Sequence, residues 1–328
     1  MDMVQKGFDR CVLFLFNSAV IMFKMQKLLL IDTFNFLHRA YHALPLSFRD
    51  KKGEPINAVY GVAAMVINVL GTVKPDYAIA ALDGEKPTFR VENFTAYKAH
   101  RAPMEDNLAS QIPKVFEVLE GFGIKPILAD GYEADDIIGT MATRFSNDDC
   151  QVIIVSNDHD MWQLINKNVI VMSPTTNGKA EWIGAEEVVK RMGFNSNQIP
   201  DYKGLRGDPS DNIPGVRGVG EKIAKQLIED YGSVENIYRN IENVTPVSLR
   251  EKLLNNAEEA VMSKNLATID NDCPITIDLN ECRYQGFETT EVKEILEKFN
   301  FKSLQKRLGL EVESDTAPAV PDNQLPLL

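Results

Sequence analysis

Short apolar runs alternate with longer segments of helical periodicity over the first 190 residues of the chain. Five runs rich in Leu, Ile, Val and Ala have the length of buried strands: Lys27–Ile31, Tyr77–Leu82, Ile124–Ala129, Gln151–Ser156 and Val169–Met172. Helical patterns lie between them at Asn57–Leu70, Leu108–Gly121 and Ala134–Phe145. This alternation predicts an α/β fold, with a mostly parallel sheet and helices flanking both of its faces.

The pattern changes near Asn197, after which short helical segments are separated by Gly and Pro. We therefore predict a first domain over residues 25–196 and a second, helical domain over residues 197–310. Residues 311–328 contain four acids, no base and three prolines, which predicts a disordered acidic tail.

The first residues contain one apolar stretch, Cys11–Phe23, which is too short to span a membrane and is interrupted by polar residues. No small-residue cleavage site follows it, so a signal peptide is a weaker interpretation. We interpret residues 1–24 as a non-native or disordered extension, with Met25 as the functional start. No other segment resembles a membrane span.

The composition limits the classes of protein that fit. The chain has 328 residues, 44% of them hydrophobic, which is enough for a sizeable core. Its four cysteines form no metal-binding or disulfide spacing, which favours a reducing cytoplasm. The net charge of −12 argues against a nucleic-acid partner, but residues 86–101 and 203–225 are locally basic.

Acidic residues follow several of the predicted strands, where the carboxyl ends of a parallel sheet place functional groups. The nine acids in tight local motifs are Asp32, Asp83, Glu133, Asp135, Asp136, Asp158, Asp160, Asp208 and Asp211. Each one alone is equally well explained as a helix cap or a turn former. Together at one sheet edge they would repel one another, and oxygen ligands in excess predict two Mg²⁺ or Mn²⁺ ions.

A glycine-rich element spans residues 212–228, NIPGVRGVGEKIAKQLI. It matches neither nucleotide-binding glycine motif, but a G-V-G before an amphipathic helix is typical of a helix-hairpin-helix that binds DNA phosphates. A plain turn is the alternative. With the basic windows, the candidate DNA contacts are Arg90, Lys203, Arg206, Gly215, Arg217, Gly218, Gly220 and Lys222.

Six motifs, in order, carry a family resemblance. They are LLLID, ALDGEKPTFR, YKAHRAP, GYEADDIIG, SNDHDMWQL and GDPSDNIPGVRGVGEKIA. The chain resembles the 5′ nuclease domain of bacterial DNA polymerase I, in the flap endonuclease superfamily, from about Lys27 to Leu310. It departs from the family at Thr33, where Gly is usual. The 328 residues do not include the family's proofreading and polymerase domains, so we expect either a free-standing nuclease or a fragment of a longer polymerase.

The resemblance implies a PIN-like nuclease domain followed by a helix-three-turn-helix region, and it implies two metal sites. The first site would use Asp32, Asp83, Glu133 and Asp135. The second would use Asp158, Asp160 and Asp211, with Asp136 and Asp208 as direct or water-mediated ligands. Lys98 and Arg101 match residues near the scissile phosphate, and a K⁺ ion would bind backbone carbonyls around Val216–Val219.

The function expected from these features is two-metal hydrolysis of DNA at 5′ ends, nicks and 5′ flaps, and of RNA primers, in replication and repair. The protein would act as a monomer. Two alternatives stay open: a PIN-type endoribonuclease, which would use a similar acidic sheet edge, and a DNA-binding scaffold without catalysis. The duplex-binding element argues against the first, and the presence of all nine acids argues against the second.

Overall fold

A computed structural model describes residues 25–84, 86–175, 179–287 and 289–310. The predicted extension over residues 1–24 and the predicted tail over residues 311–328 lie outside the described residues. Among the helices of the described ranges, none has both the length and the hydrophobicity that crossing a membrane requires.

A twisted six-stranded sheet forms the centre of the fold. Its strands are β1 (Gln26–Asp32), β2 (Tyr77–Ala81), β3 (Lys125–Ile127), β4 (Cys150–Val155), β5 (Val169–Pro174) and β6 (Ala180–Ile183). They lie in the order β3-β2-β1-β4-β5-β6, with β1 to β5 parallel and β6 antiparallel to β5. The predicted α/β class with a mostly parallel sheet is therefore confirmed.

Alternate residues of β1 enter opposite layers of the core, because successive side chains of a strand point to opposite faces. Leu28 and Leu30 pack in one layer with the helix that follows β3, while Leu29 and Ile31 pack in the other. All four side chains are at most 1% exposed. An unbroken LLLI run is thus the pattern of a strand covered on both faces.

Helices of the first half cover both faces of the sheet. They are α1 (Thr33–Ala43), α2 (Asn57–Val73), α3 (Phe89–Asn93), α4 (Asp106–Ala109), α5 (Ile112–Gly121), α6 (Ala134–Phe145) and α7 (Ala185–Met192). Helices α1, α2 and α5 share one hydrophobic layer, and α6 lies in the other. The long pattern predicted from Leu108 to Gly121 is two helices, with a break at Ser110–Gln111.

The second half begins with a helical region on the α6 face of the sheet. Its helices are α8 (Ile199–Arg206), α9 (Glu221–Tyr231), α10 (Val234–Arg239), α11 (Val247–Asn255) and α12 (Ala257–Ala267). Their apolar residues, such as Leu205, Leu227 and Leu253, join the same hydrophobic cluster as α6. The helical region and the sheet therefore share one core.

The last two helices return to the opposite face. Helix α13 (Thr290–Lys298) and helix α14 (Lys302–Arg307) place Val292, Leu296 and Leu304 in the layer of α2 and α5. These helices belong to the predicted second domain, yet they pack on the first. The division of the chain into two domains at residues 196 and 197 therefore stays a prediction.

Helices α1 and α2 make a close contact that depends on Gly61. A Cβ atom on Gly61 would lie 2.6 Å from the Ala40 Cβ atom, whereas a Cβ atom on Gly71 of the same helix meets nothing within 4 Å. We expect Gly61→Ala to lower the free energy of unfolding by about 1–3 kcal/mol through overpacking. Gly71→Ala should raise it by roughly 0.5–1 kcal/mol through helix propensity.

Urea unfolding of the two variants measures this difference, with Gly71→Ala as the matched control from the same helix. Equal stabilisation of both variants would contradict the close α1–α2 contact.

Candidate active site

Asp32 lies at the carboxyl end of β1 and caps helix α1. Its Oδ1 atom accepts a hydrogen bond from the Asn35 N–H at 3.1 Å, and its Oδ2 atom accepts one from the Ser156 hydroxyl at 2.7 Å. Burial raises the pKa of Asp32 to about 6, and the charges of Asp158 and Asp83 add to the rise. The side chain is 6% exposed, so this acid is held rigidly and desolvated.

Three more acids are fixed by the first turn of α6. Glu133 is the residue before this helix, and Asp135 lies within its first turn. Asp83, which follows β2, accepts a hydrogen bond from the Ala134 N–H at 2.8 Å. Burial raises the pKa of Asp135 well above its usual value, and the nearby charges of Asp32 and Asp158 raise it further.

A single cavity of about 1620 Å³ brings five of the predicted acids together with two predicted cations. Its lining includes Asp32, Asp83, Glu133, Asp135, Asp158, Lys98 and Arg101. It lies at the carboxyl ends of β1, β2 and β4, which is the position predicted from the acids that follow these strands. Thr33 is buried, so the residue that departs from the family pattern does not project into the cavity.

Two further predicted acids, Asp160 and Asp208, lie beside this cavity, whereas Asp136 and Asp211 line neither this cavity nor a second, smaller one. A smaller cavity of about 560 Å³ is lined by Asp158, Asp160, Asp208 and Lys203, so Asp158 faces both cavities. Burial raises the pKa of Asp160 to about 6, although Lys203 opposes the rise. Burial alone would also raise the pKa of Asp208, but Lys203 and hydrogen bonds from Ser210 lower it overall.

Lys98 and Arg101 form ion pairs with acids of the site. The Lys98 Nζ atom lies 2.8 Å from Glu133 Oε2 and 3.8 Å from Asp211 Oδ2, and an Arg101 nitrogen lies 2.5 Å from Asp211 Oδ1. Burial alone would lower the pKa of Lys98, but Glu133, Asp211 and Asp135 raise it overall. The ammonium group therefore stays charged beside the cavity.

Tyr97 is a site residue that the sequence reasoning missed. Its hydroxyl lies 3.2 Å from Glu133 Oε2 and 3.3 Å from Asp211 Oδ2, and the side chain is buried. Burial and these two carboxylates raise its pKa, so the phenol stays protonated and can donate. Its position next to Lys98 in the YKAHR motif was the available signal.

Arg90 and Asp136 differ from their predicted roles. Arg90 is 2% exposed and Asp136 is fully buried, and two Arg90 nitrogens each lie 2.7 Å from an Asp136 oxygen. Asp136 also accepts the backbone N–H groups of Glu133 and Asp270. Arg90 is therefore not available to DNA, and the Asp136 oxygens are occupied by protein donors rather than facing the cavity.

Two further predicted DNA contacts are occupied within the protein. The Lys203 ammonium group pairs with both Asp160 and Asp208, and its side chain is 11% exposed. Gly215 is buried, and a Cβ atom there would lie 2.2 Å from the Gly207 backbone nitrogen. Gly215 thus allows two backbone segments to pack together. Lys203 pairs with the two carboxylates of the smaller cavity, Asp160 and Asp208.

The other predicted DNA contacts lie on an exposed surface beside these acids. Gly218 has a φ of +84°, which favours glycine, and Gly220 directly precedes α9. Arg206, Arg217 and Lys222 are exposed. A polyanion can approach this surface without displacing core residues.

The donor set of the main cavity fits a hard divalent cation. Within the described ranges, no three side chains of His, Cys, Asp or Glu converge on one point closely enough to hold an ion by themselves. Mg²⁺ commonly binds through one or two carboxylates and keeps several waters, so it does not require such convergence. Burial and, to a smaller extent, the neighbouring carboxylates raise the pKa values of Asp32 and Asp135, and a bound cation would offset both effects.

Comparison with known families decides the identity. Residues 27–193 match the N-terminal resolvase-like domain of 5′-3′ exonucleases, and residues 194–290 match their C-terminal SAM fold. The chain belongs to the 5′-3′ exonuclease family.

Relatives of this 5′-3′ exonuclease family member include DNA polymerase I of Caldicellulosiruptor bescii, which is 42% identical over 87% of this chain and 34% of its own length. DNA polymerase I of Bacillus subtilis is 39% identical over 93% of this chain and 34% of its own length. The chain therefore spans about a third of the length of the curated relatives it matches.

Solved structures share the fold of this exonuclease family member. The T5 5′-exonuclease with bound divalent metal ions (zinc) has a TM-score of 0.61 and 20% identity, covering 85% of this chain and 99% of its own. The catalytic core of Rad2 in complex with DNA substrate has a TM-score of 0.57 and 17% identity, covering 86% and 92%. At these identities the likeness establishes the fold alone.

The raised pKa values predict how the stability of the metal-free protein depends on pH. A carboxyl group with a higher pKa in the folded state binds more protons when folded, so the free energy of unfolding falls as the pH rises. For Asp32 this fall spans about pH 4 to pH 6 and is complete above pH 6.

Asp135→Asn removes one of these crowded charges. In EDTA at pH 8 we expect its Tm to lie a few degrees above that of the unmodified chain, with a smaller difference near pH 4. Asp149→Asn, at an exposed position, is the control and should leave the Tm unchanged. A Tm of Asp135→Asn below that of the unmodified chain at pH 8 would contradict the crowding of the acids.

The buried Arg90–Asp136 pair gives a second prediction. Arg90→Met leaves the Asp136 carboxylate without its counterion, which should lower the free energy of unfolding by roughly 3–5 kcal/mol. Arg206→Met, on the exposed surface, should change it by less than about 0.5 kcal/mol. Chemical denaturation measures both, and similar small losses would return Arg90 to the candidate DNA contacts.

Proposed function

We propose that this chain hydrolyses phosphodiester bonds at 5′ ends, nicks and 5′ flaps of duplex DNA, and removes RNA primer strands, in replication and repair. The observation that carries the proposal is the cavity that five of the predicted carboxylates line together with Lys98 and Arg101. The family membership supports a 5′ nuclease, and the Rad2 neighbour, which is bound to a DNA substrate, supports DNA as the partner.

The proposal includes two divalent ions, Mg²⁺ or Mn²⁺. Asp32, Asp83, Glu133 and Asp135 would hold one ion, and Asp158, Asp160 and Asp211 would hold the other, with Asp208 beside them. When bound, such ions supply hydroxide near neutral pH and stabilise the leaving 3′ oxygen. The T5 5′-exonuclease, whose structure contains divalent metal ions, supports a metal requirement.

The chain's own cations would act on the phosphate. Lys98 and Arg101 line the same cavity as the acids, so their positive charges can offset the negative charge that grows on the phosphate oxygens. Entry of cations would also release Glu133 and Asp211 from their ion pairs with Lys98 and Arg101. The two side chains would then be free to turn toward the phosphate.

The exposed surface of the helical region would hold the DNA backbone. Arg206, Arg217 and Lys222 supply charge without reading base sequence, and the exposed Gly218 and Gly220 allow close approach. A K⁺ ion at the carbonyls of Val216–Val219 is part of the proposal. So are a monomeric state and a cytoplasmic location in a bacterium.

Asp83→Ala and Asp158→Ala each remove one acid of the main cavity. With Mg²⁺, we expect each variant to cut a flapped DNA duplex about 100-fold or more slowly, because ion stabilisation of the transition state is worth several kcal/mol. Asp149→Ala, at an exposed position, should cut normally. Gel assays of a labelled flap measure the rates, and binding of the same DNA should persist through the helical surface.

Two outcomes would contradict the proposed function. One is undiminished cleavage by either variant or in EDTA. The other is faster cleavage of single-stranded RNA than of the flapped duplex, which would favour the endoribonuclease alternative.

A further inference from the structure

Two non-glycine residues with a left-handed backbone lie on the two sides of one contact. Lys98 has a φ of +53° and Asn212 has a φ of +58°. Asparagine tolerates this region of φ, whereas lysine adopts it rarely. A lysine persists in such a conformation only where its surroundings impose it, and residues of this kind cluster at functional sites. The contacts that impose it on Lys98 therefore concern the site as well as the fold.

These contacts come from the loop of the helical region that leads into the glycine-rich element. The backbone N–H of Lys98 donates to the Asp211 carbonyl at 2.9 Å, and the side-chain amide of Asn212 donates to the Ala96 carbonyl at 2.6 Å. The same Ala96 carbonyl accepts the Ala99 N–H at 3.2 Å, which closes a turn around Lys98. Asn212 thus bonds to the carbonyl that closes this turn.

The loop that carries Asn212 is well supported. Asp208 and Ile213 exchange two backbone hydrogen bonds, of 2.9 and 2.8 Å. Ile213 also packs in a small hydrophobic cluster with Tyr97 and with Leu266 of α12. The side-chain amide of Asn212 therefore has a fixed position from which it can hold residues 96–99.

The backbone conformation of Lys98 decides where its ammonium group lies. The Nζ atom is 2.8 Å from Glu133 Oε2, and Lys98 lines the main cavity. A change to right-handed backbone would redirect the Cα–Cβ bond and carry the ammonium group elsewhere. Under the proposed function, Glu133 would bind an ion instead of Lys98. The backbone contacts would then be what orients this lysine.

We propose that Asn212 is a positioning residue for Lys98, because its side-chain amide holds the turn over residues 96–99 that directs the ammonium group into the main cavity. This inference rests on the proposed function, which places Lys98 beside the phosphate that is cut. Asn212 acts through Lys98 and does not touch the phosphate. The helical region, which is proposed to hold the duplex, would thereby also orient a cation of the active site.

Asn212→Gly tests the proposal, because glycine lacks the side-chain amide yet adopts a left-handed backbone readily. With Mg²⁺ and saturating flapped duplex, we expect its cleavage rate to fall roughly 3- to 10-fold, the factor that corresponds to one hydrogen bond. Its affinity for the duplex, measured by fluorescence anisotropy in EDTA, should be unchanged. Asn300→Gly is the matched control, because Asn300 is exposed, has a φ of +55° and lies between α13 and α14. It should keep both the rate and the affinity.

A double-variant comparison separates positioning of Lys98 from a general structural role. Lys98→Ala removes the ammonium group, so adding Asn212→Gly to it should lower the cleavage rate no further. A structural role elsewhere in the site, or a direct contact with DNA, would lower the rate by the same factor in both backgrounds. Equal factors in the two backgrounds would overturn the inference, and so would an unchanged rate in Asn212→Gly alone.

Hydrogen exchange separates failure of this inference from failure of the proposed function. In EDTA, the backbone N–H groups of residues 97–101 should exchange about 5-fold or more faster in Asn212→Gly than in the unmodified chain, because the turn opens more often. Those of α2, in the other hydrophobic layer, should exchange as before. This result supports the hold of Asn212 on the turn even if the unmodified chain cuts no flap. Unchanged exchange at residues 97–101 would overturn the inference even if flap cutting is normal.

Discussion

The burial of several carboxylates at one sheet edge, together with their mutual repulsion, is the constraint on which the rest of the site depends. Asp32 is fixed by the end of β1, Asp83 by its bond to the start of α6, and Asp135 by the first turn of that helix. None of them can move far without breaking a strand end or a helix start. The fold thus stores an electrostatic cost that is relieved by protons or by cations.

Lysine and arginine side chains of the protein itself offset part of this electrostatic cost. Lys98 and Arg101 pair with Glu133 and Asp211, while Lys203 pairs with Asp160 and Asp208. Among the described residues, no lysine or arginine forms an ion pair with Asp32 or Asp135, and burial raises the pKa of both. Burial also raises the pKa of Asp160 to about 6 although Lys203 pairs with it, so the protein's own cations offset only part of the cost.

The parallel sheet could be predicted from the sequence, because apolar runs such as LLLI are typical of strands that are buried on both faces. Helix α1 was missed because no helical pattern was assigned to residues 33–43, although a helix cap was one interpretation of Asp32 and Asp32 does cap that helix. The cluster of acids was predictable from the rule that parallel strands end together. Arg90 and Gly215 were misjudged because a basic window or a glycine motif does not reveal burial, which here depends on Asp136 and Gly207 from distant positions.

The return of the chain to the sheet after α12 affects how the helical region is positioned relative to the acids. After α12, the Asp270 N–H bonds to Asp136, and Arg283 pairs as an isolated bridge with Tyr77 before α13 reaches the opposite face. The helical region is therefore connected to the sheet twice, through Ile199 and Leu205 of α8, which lie in the same cluster as α6, and through these contacts after α12. Under the proposed function, a helical region connected in this way would hold the duplex at a set distance from the acids, and the cut would lie a set number of nucleotides from that duplex.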